Sequence, residues 1–263
     1  MNSKVRANIA VIVTSHNYGR YLKQCLNSVM SQTLKPKEVL VVDDASSDNV
    51  EELVRGFPEV TYYRVAFQNG NKARNFGFSR MSAEEVVFFD ADNFMETRFL
   101  EVLHGALEFD EEADFAYCDR INFGEGDVSW YPESMGRWRS KPLDPVLLKE
   151  GNYIDLASLL RASCFPGFDE KLRRFQDWDL WLNVVLKQGR QGRYISKPLF
   201  YYRVHKGSVT KREDRNRAVW HIRRKYRLGF LCSLPVLRNF FWLYRFLLDT
   251  KAILMSSIGR IVL

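Results

Sequence analysis

Apolar residues in the first hundred positions follow two alternating patterns. Apolar runs at 9–14 (IAVIVT), 38–43 (EVLVVD) and 85–90 (EVVFFD) read as buried strands, and 60–66 as a further strand. Between them apolar residues recur at helical spacing: Tyr21, Leu22, Cys25, Leu26, Val29 and Met30 mark one helix. A second runs from 48 to 57, opened by DNVE, whose capping-box form makes Asp48 structural. A third covers 71–82 and a fourth 96–109, with Phe99, Leu100, Leu103, Ala106 and Leu107 on its apolar face. Strict strand–helix alternation predicts an α/β fold, a mostly parallel sheet with helices on both sides.

Past residue 110 the alternation stops. Residues 113–123 form a further strand pattern, 124–140 are rich in Gly, Trp and charge, 177–187 (DWDLWLNVVLK) read as a helix and 199–205 (LFYYRVH) as a last strand. This irregularity suits a second half shaped around a variable ligand. Trp130, Trp138 and the Gly151-Asn152-Tyr153 stretch are its candidate ligand contacts.

Charge divides the chain differently. Its 263 residues carry 39 Lys and Arg against 32 Asp and Glu, net +7. Residues 211–263 hold 12 basic and 3 acidic residues, a surplus of nine, so the first 210 carry about −2. The expected units are therefore 1–210 and a basic helical tail, 211–263. Cys25, Cys118, Cys164 and Cys232 show no metal spacing and read as reduced thiols of a cytoplasmic protein. The start fits a first strand better than a signal peptide, and no apolar window reaches spanning length.

The chemistry gathers at strand ends. Two strands stop at Asp43-Asp44 and Asp90-Ala91-Asp92, which puts four acids on the carboxyl edge of one sheet beside Thr14 and His16. Adjacent carboxylates repel unless a cation lies between them, so a hard divalent ion carrying phosphate oxygens fits; simple helix capping is the plainer alternative. No GxxxxGK[ST] motif is present, and NGNKARNFG at 69–77 lacks GxGxxG spacing. Its Lys72 and Arg74 either face a diphosphate at a helix N-terminus or form a solvated basic face.

Five segments, TSHNYGRYLKQCLNSVMSQTLKPKEVLVVDDASSD, NKARNFGF, FFDADN, FQDWDLWL and YYRVHKGSVT, together resemble the inverting family 2 glycosyltransferases of GT-A fold over roughly residues 8 to 212. The resemblance implies a nucleotide-binding half (1–110) and an acceptor-binding half (111–210). It also implies roles: Thr14, His16 and Asp44 hold the donor base, Arg74 approaches base or phosphates, and Asp90 holds the ribose. Asp92 ligates Mg²⁺ or Mn²⁺, and His205 closes over metal and diphosphate. The donor implied is a nucleotide-sugar, a UDP-sugar foremost, and the acceptor a hydroxyl of a glycan or lipid-linked molecule in polysaccharide, lipopolysaccharide or glycoprotein assembly.

The same resemblance makes the acid of QDWDLW the base that deprotonates the acceptor. Asp177 and Asp179 lie about 200° apart around a helix, so they cannot both face one site. Asp177 is chosen, with a helix N-cap as its alternative role. Where relatives often carry Glu, Gln176 removes a negative neighbour and should leave Asp177 less raised in pKa. Trp178 is a candidate sugar contact, although it and Trp181 also have core spacing. A sugar nucleotidyltransferase would show a Gly-rich signature near residue 10, which TSHNYGRY lacks; a non-catalytic nucleotide-sugar-binding module is the third reading.

In the tail, aromatic and aliphatic residues are interrupted by Arg238, Arg245 and Lys251. That pattern suits a helix lying in a lipid interface on the cytoplasmic face of a membrane, or one packed on the catalytic body or on another subunit as a homo-oligomer. Nucleic acid is not expected, since no recognised binding module accompanies the basic residues.

Overall fold

A computed structural model describes residues 6–229 apart from 125, 130, 132 and 207–213. It divides into two compact units, Met1–Ala218 and Val219–Leu263.

The first unit is built on a nine-stranded sheet. Strands β1 (Ala7–Ser15), β2 (Pro36–Asp44), β3 (Thr61–Val65) and β4 (Glu85–Asp90) pair in parallel in the order β3-β2-β1-β4. Helices α1 (Gly19–Met30), α2 (Val50–Arg55) and α3 (Gly70–Arg80) make the crossovers. β1 buries every residue from Ile9 to Ser15, as a central strand covered on both faces must.

Beyond β4 the sheet becomes mixed. A short strand β5 (Phe94–Met95) and helix α4 (Phe99–Phe109) lead into β6 (Ala113–Gly124). β7 (Gly136–Trp138), α5 (Pro145–Glu150) and β8 (Leu159–Arg161) follow, then α6 (Gln176–Leu182), continued by a π-helical turn, and β9 (Gln191–Val204). β8 runs antiparallel between β4 and β6, while β9 runs parallel to β6.

Strands of two or three residues carry no periodicity, so β5, β7 and β8 leave no signal in the sequence. β9 begins eight positions before the expected strand because its first half, QGRYISK, is mostly partly exposed and polar.

Two local devices aim the strand ends. Register places Thr14 opposite Asp90 and Ser15 opposite Asp43, so β1, β2 and β4 stop at one edge. α3 lies unusually close to the sheet: a Cβ at Gly77 would come within 2.6 Å of Ile12 Cγ2 and 3.1 Å of Val42 Cγ2. Gly77→Ala should therefore lift α3 and cost about 1–3 kcal/mol, read by urea unfolding. A change below about 0.5 kcal/mol would show that this close approach is not needed.

Asp48 is structural, but not as expected. It does not cap α2, whose N-cap is Asn49 with no side-chain bond; its Oδ2 instead accepts from Gly19 N (2.7 Å) at the start of α1. The cap of α3 is Asn69, which accepts from Asn71 N and Lys72 N. Cys25, Cys118 and Cys164 are buried thiols.

Helix α7 (Arg215–Lys225) carries Arg223, Arg224 and Lys225 in its last turn. Within the second unit Arg223 donates from Nε to Gly229 O and from Nη2 to Leu228 O, both at 3.0 Å. Cys232, Arg238, Arg245 and Lys251, on which the lipid and packing readings of the tail depend, lie outside the described residues. Among the described residues no helix is long and apolar enough to cross a membrane.

Candidate active site

One cleft of about 1010 Å³ opens at the carboxyl edge of β1, β2 and β4. Thr14, His16, Asp44, Arg74, Asp90, Asp92 and Asp177 all line it, although they come from five separate parts of the chain.

On the wall formed by the strand ends, strand alternation separates the Asp43-Asp44 pair. Asp44 turns toward the cleft and accepts three backbone N–H groups from the next turn, Phe67 and Gln68 on Oδ1 and Asn69 on Oδ2, at 2.6 to 2.8 Å. Asp43 points away, where Tyr62 Oη (2.7 Å) and Arg64 Nη1 (2.8 Å) donate to Oδ2 and Ser46 N to Oδ1. Three of the four expected acids therefore meet in the cleft, and the fourth braces β2 against β3. His16 donates from Nδ1 to the Asp44 carbonyl at 2.5 Å, which leaves Nε2 as its acceptor nitrogen.

Arg74 is buried and joins Asp90 through Nη2 to Oδ1 at 2.6 Å, with Nη1 on Asn71 Oδ1. Lys72, two residues earlier and so on another helix face, is exposed, lies 3.9 Å from Glu170 and does not line the cleft. Burial pushes the Asp92 carboxyl up and Asp90 adds to the shift, while His205 opposes it from Nε2, 3.0 Å from Asp92 Oδ2. His205 is itself buried, does not line the cleft, and backs its wall through Asp92 and, edge-on at 5.6 Å, through Tyr18.

Arg203, which no sequence pattern marks, pins the Asp-Ala-Asp turn. Its N–H donates to Asn93 Oδ1, its Nε to Asp92 O and its Nη2 to Gln24. Carboxylate oxygens are donors that Mn²⁺ and Mg²⁺ accept, and added positive charge would relieve the raised Asp92.

The opposite wall is built around a guanidinium. Arg120 of β6 ion-pairs with Asp155 and Glu133, donates to Asn122 Oδ1 (2.8 Å) and Tyr131 Oη (3.1 Å), and is sandwiched between Trp138 and Tyr202 at 4.4 Å each. Trp138 thus reaches the cleft as expected, but one face of its ring is taken by Arg120. A charged residue inside an apolar strand, AYCDRINF, was the available signal that β6 carries a buried partner network. Trp130 lies outside the described residues.

Asp177 stands at the second position of α6. The N-cap is Phe175, in the left-handed region at φ 58°, so capping is not the role of Asp177. Its Oδ2 accepts from Asn152 Nδ2 at 2.7 Å and its Oδ1 from Trp178 N at 2.9 Å. Burial first, then the Asp155 charge, push the carboxyl up to about 7, against the pull of Arg120. Burial and the Asp155 charge thus raise Asp177 even with the neutral Gln176 beside it. Asp179 is buried and outside the cleft, as the face argument requires.

Trp178, expected to face the cleft, turns away from it. It is 3% exposed, does not line the cleft, and donates from Nε1 to Leu148 O at 2.7 Å, fastening α6 to α5. Trp181 stacks on Phe115 in the core. Four non-glycine residues with positive φ, Asn17, Ala45, Gln68 and Phe175, lie in or next to the cleft lining, where strained backbone commonly marks function.

The parallel sheet with its mixed extension and an acid-lined carboxyl edge is the GT-A architecture of sugar-transferring enzymes. The chain belongs to glycosyl transferase family 2, whose sequence model matches residues 10–165, more than half of it. It is 29% identical over 220 residues to the glycosyltransferase GlyA of Streptococcus pneumoniae, spanning 77% of this chain and 31% of GlyA. It is 26% identical over 218 residues to the uncharacterised glycosyltransferase YibD of Escherichia coli, spanning 77% of this chain and 63% of YibD. The chain thus spans less than two thirds of either relative.

Two solved structures share the fold. Staphylococcus aureus TarS, in complex with UDP-GlcNAc, superposes with a TM-score of 0.69 at 20% identity over 83% of this chain and 65% of that one. The mannosyltransferase PcManGT of Pyrobaculum calidifontis, in complex with GDP-Man and Mn²⁺, gives 0.60 at 16% identity over 95% and 81%.

Proposed function

We propose that the chain is a metal-dependent, inverting glycosyltransferase. It moves a sugar from a nucleoside diphosphate, a UDP-sugar foremost, to a hydroxyl of a glycan or lipid-linked acceptor in polysaccharide, lipopolysaccharide or glycoprotein assembly. The observation that carries this reading is that Asp92 and Asp177 open onto one cleft, and Asp177 is the cleft acid pushed up to about 7. A group near neutrality is suited to take a proton at working pH. The nucleotide-sugars held by TarS and PcManGT, and the Mn²⁺ of the latter, support the donor and metal classes.

Thr14, His16 and the turn held by Asp44 receive the base, and the Arg74–Asp90 pair meets ribose and phosphate. Asp92, with His205 behind it, would hold Mn²⁺ or Mg²⁺, which when bound offsets charge on the departing diphosphate. Asp177 accepts the acceptor's hydroxyl proton as that oxygen bonds to the anomeric carbon. The bond from that carbon to the diphosphate oxygen breaks on the far side, its electron pair leaves with the diphosphate, and the configuration inverts.

The test is proton NMR of the full chain with Mn²⁺ and either UDP-GlcNAc or GDP-mannose, with water as acceptor. From either α-linked donor the β-anomer should appear first, with free nucleoside diphosphate, and chelation of the metal should stop the reaction. First release of the α-anomer, or turnover indifferent to chelator, would refute the mechanism. Nucleoside triphosphate formed from pyrophosphate would indicate a nucleotidyltransferase.

A further inference from the structure

We infer that Asn152 is a positioning residue for Asp177, holding its carboxylate aimed into the cleft and supporting its charged form. The inference rests on Asp177 being the base. Asn152 lies in the link after α5, and its side-chain amide has only one orientation that satisfies its neighbours. Nδ2 donates to Asp177 Oδ2 at 2.7 Å and to Ile154 O at 2.9 Å, while Oδ1 accepts from Ile154 N at 3.2 Å. Reversing the amide would set oxygen against a carboxylate and a carbonyl, and N–H against N–H. The Ile154 backbone therefore dictates that a donor faces Asp177.

The two elements are fastened twice. Trp178 Nε1 holds the Leu148 carbonyl on α5, and Asn152 holds Asp177 one residue before Trp178. With Oδ1 on the Trp178 N–H and Oδ2 on Asn152, rotation of the carboxylate breaks one bond or both. Each oxygen keeps a second lone pair for the incoming proton.

Other charges face the same carboxylate. Asp155, before β8, disfavours its ionisation, and Arg120 on β6 favours it. Glu133, Tyr131 and Tyr202 surround Arg120, and Arg173 and Arg174 line the cleft from the loop before α6. In this company Asn152 is a neutral side-chain donor in contact with Asp177, beside the Trp178 backbone N–H. A donor to a carboxylate favours the ionised form, so its loss must raise the pH at which Asp177 gives up its proton.

The experiment titrates the ¹³C carboxyl resonance of Asp177 in the full chain, identified by its absence in Asp177→Asn, in wild type, Asn152→Ala and Asn152→Asp. Asn152→Asp keeps the acceptor for Ile154 N and replaces the donor with a charge. The midpoint should rise by about one pH unit in Asn152→Ala and further in Asn152→Asp. The acidic limb of sugar-nucleotide hydrolysis should move with it, with KM for UDP-GlcNAc or GDP-mannose within about twofold.

An unmoved midpoint in both variants, or activity lowered equally at every pH with no shift of the limb, overturns the inference and leaves the base assignment standing. If Asp177→Asn itself turns over like wild type, the base assignment falls and this inference falls with it. Thermal melting of each variant distinguishes these results from failure to fold.

Discussion

Asp177→Asn is expected to lower turnover by about a thousandfold while nucleotide affinity holds, because general base catalysis commonly contributes about 10²- to 10⁴-fold. The substituted amide keeps one oxygen, which can accept from Asn152 or from the Trp178 N–H but not from both. One of these bonds is therefore lost, while a side chain of the same shape still fills the wall of the cleft. The variant should also be more stable than wild type at alkaline pH. The sign follows from linkage. An acid raised from 3.8 to about 7 favours its protonated form in the folded state, so ionising it costs stability as pH rises between those two values. At about 1.4 kcal/mol per unit the ceiling is roughly 4 kcal/mol, reduced by solvent in the cleft. Melting curves should therefore separate the two proteins above neutrality and bring them together near pH 4. Undiminished turnover, or equal melting at every pH, would count against Asp177 as a perturbed base.

Arg120→Leu is expected to be the most destabilising single change in the cleft. Arg120 answers both Asp155 and Glu133 and lies 7% exposed between two rings. Burial alone would push its guanidinium down, yet the acids and tyrosines around it hold it up. Leucine fills much of the slot but leaves Asp155 buried without its cation, and breaking a buried pair from one side costs about 3–5 kcal/mol. For a unit of this size that lowers the melting temperature by roughly 10 °C. Adding Asp155→Asn should recover part of the loss, because the uncompensated charge disappears. Removing Arg120 also removes a charge that favours ionised Asp177, so the acidic limb of activity should rise in the single variant. A melting shift under about 2 °C would show that the two acids reach solvent and do not need Arg120.

The parallel half was legible because β1, β2 and β4 are largely buried on both faces and so appear as near-continuous apolar runs. Acids stand where the runs of β2 and β4 reach the sheet edge, while β3 is a partly exposed edge strand. In the mixed half, β6, α6 and the second part of β9 were legible as patterns at 113–123, 177–187 and 199–205, and the other strands were hidden for the converse reason. β8 contributes three residues and β5 two, too few for any period, and the first half of β9 is polar.

Local sequence determined which groups leave solvent and on which helix face or strand end they stand. It therefore brought Thr14, His16, Asp44, Arg74, Asp90, Asp92 and Asp177 to one cleft, and it kept Asp179 out. Tertiary structure decided whom each buried group meets. Asp43 braces a neighbouring strand, Trp178 fastens two helices, and Arg120, Glu133, Asn152 and Asp155 assemble around Asp177 from positions up to 35 residues apart. Burial follows from side-chain chemistry and periodicity, which are written locally. The partner of a buried polar group follows from how crossovers stack the strands, and no short stretch of chain carries that information.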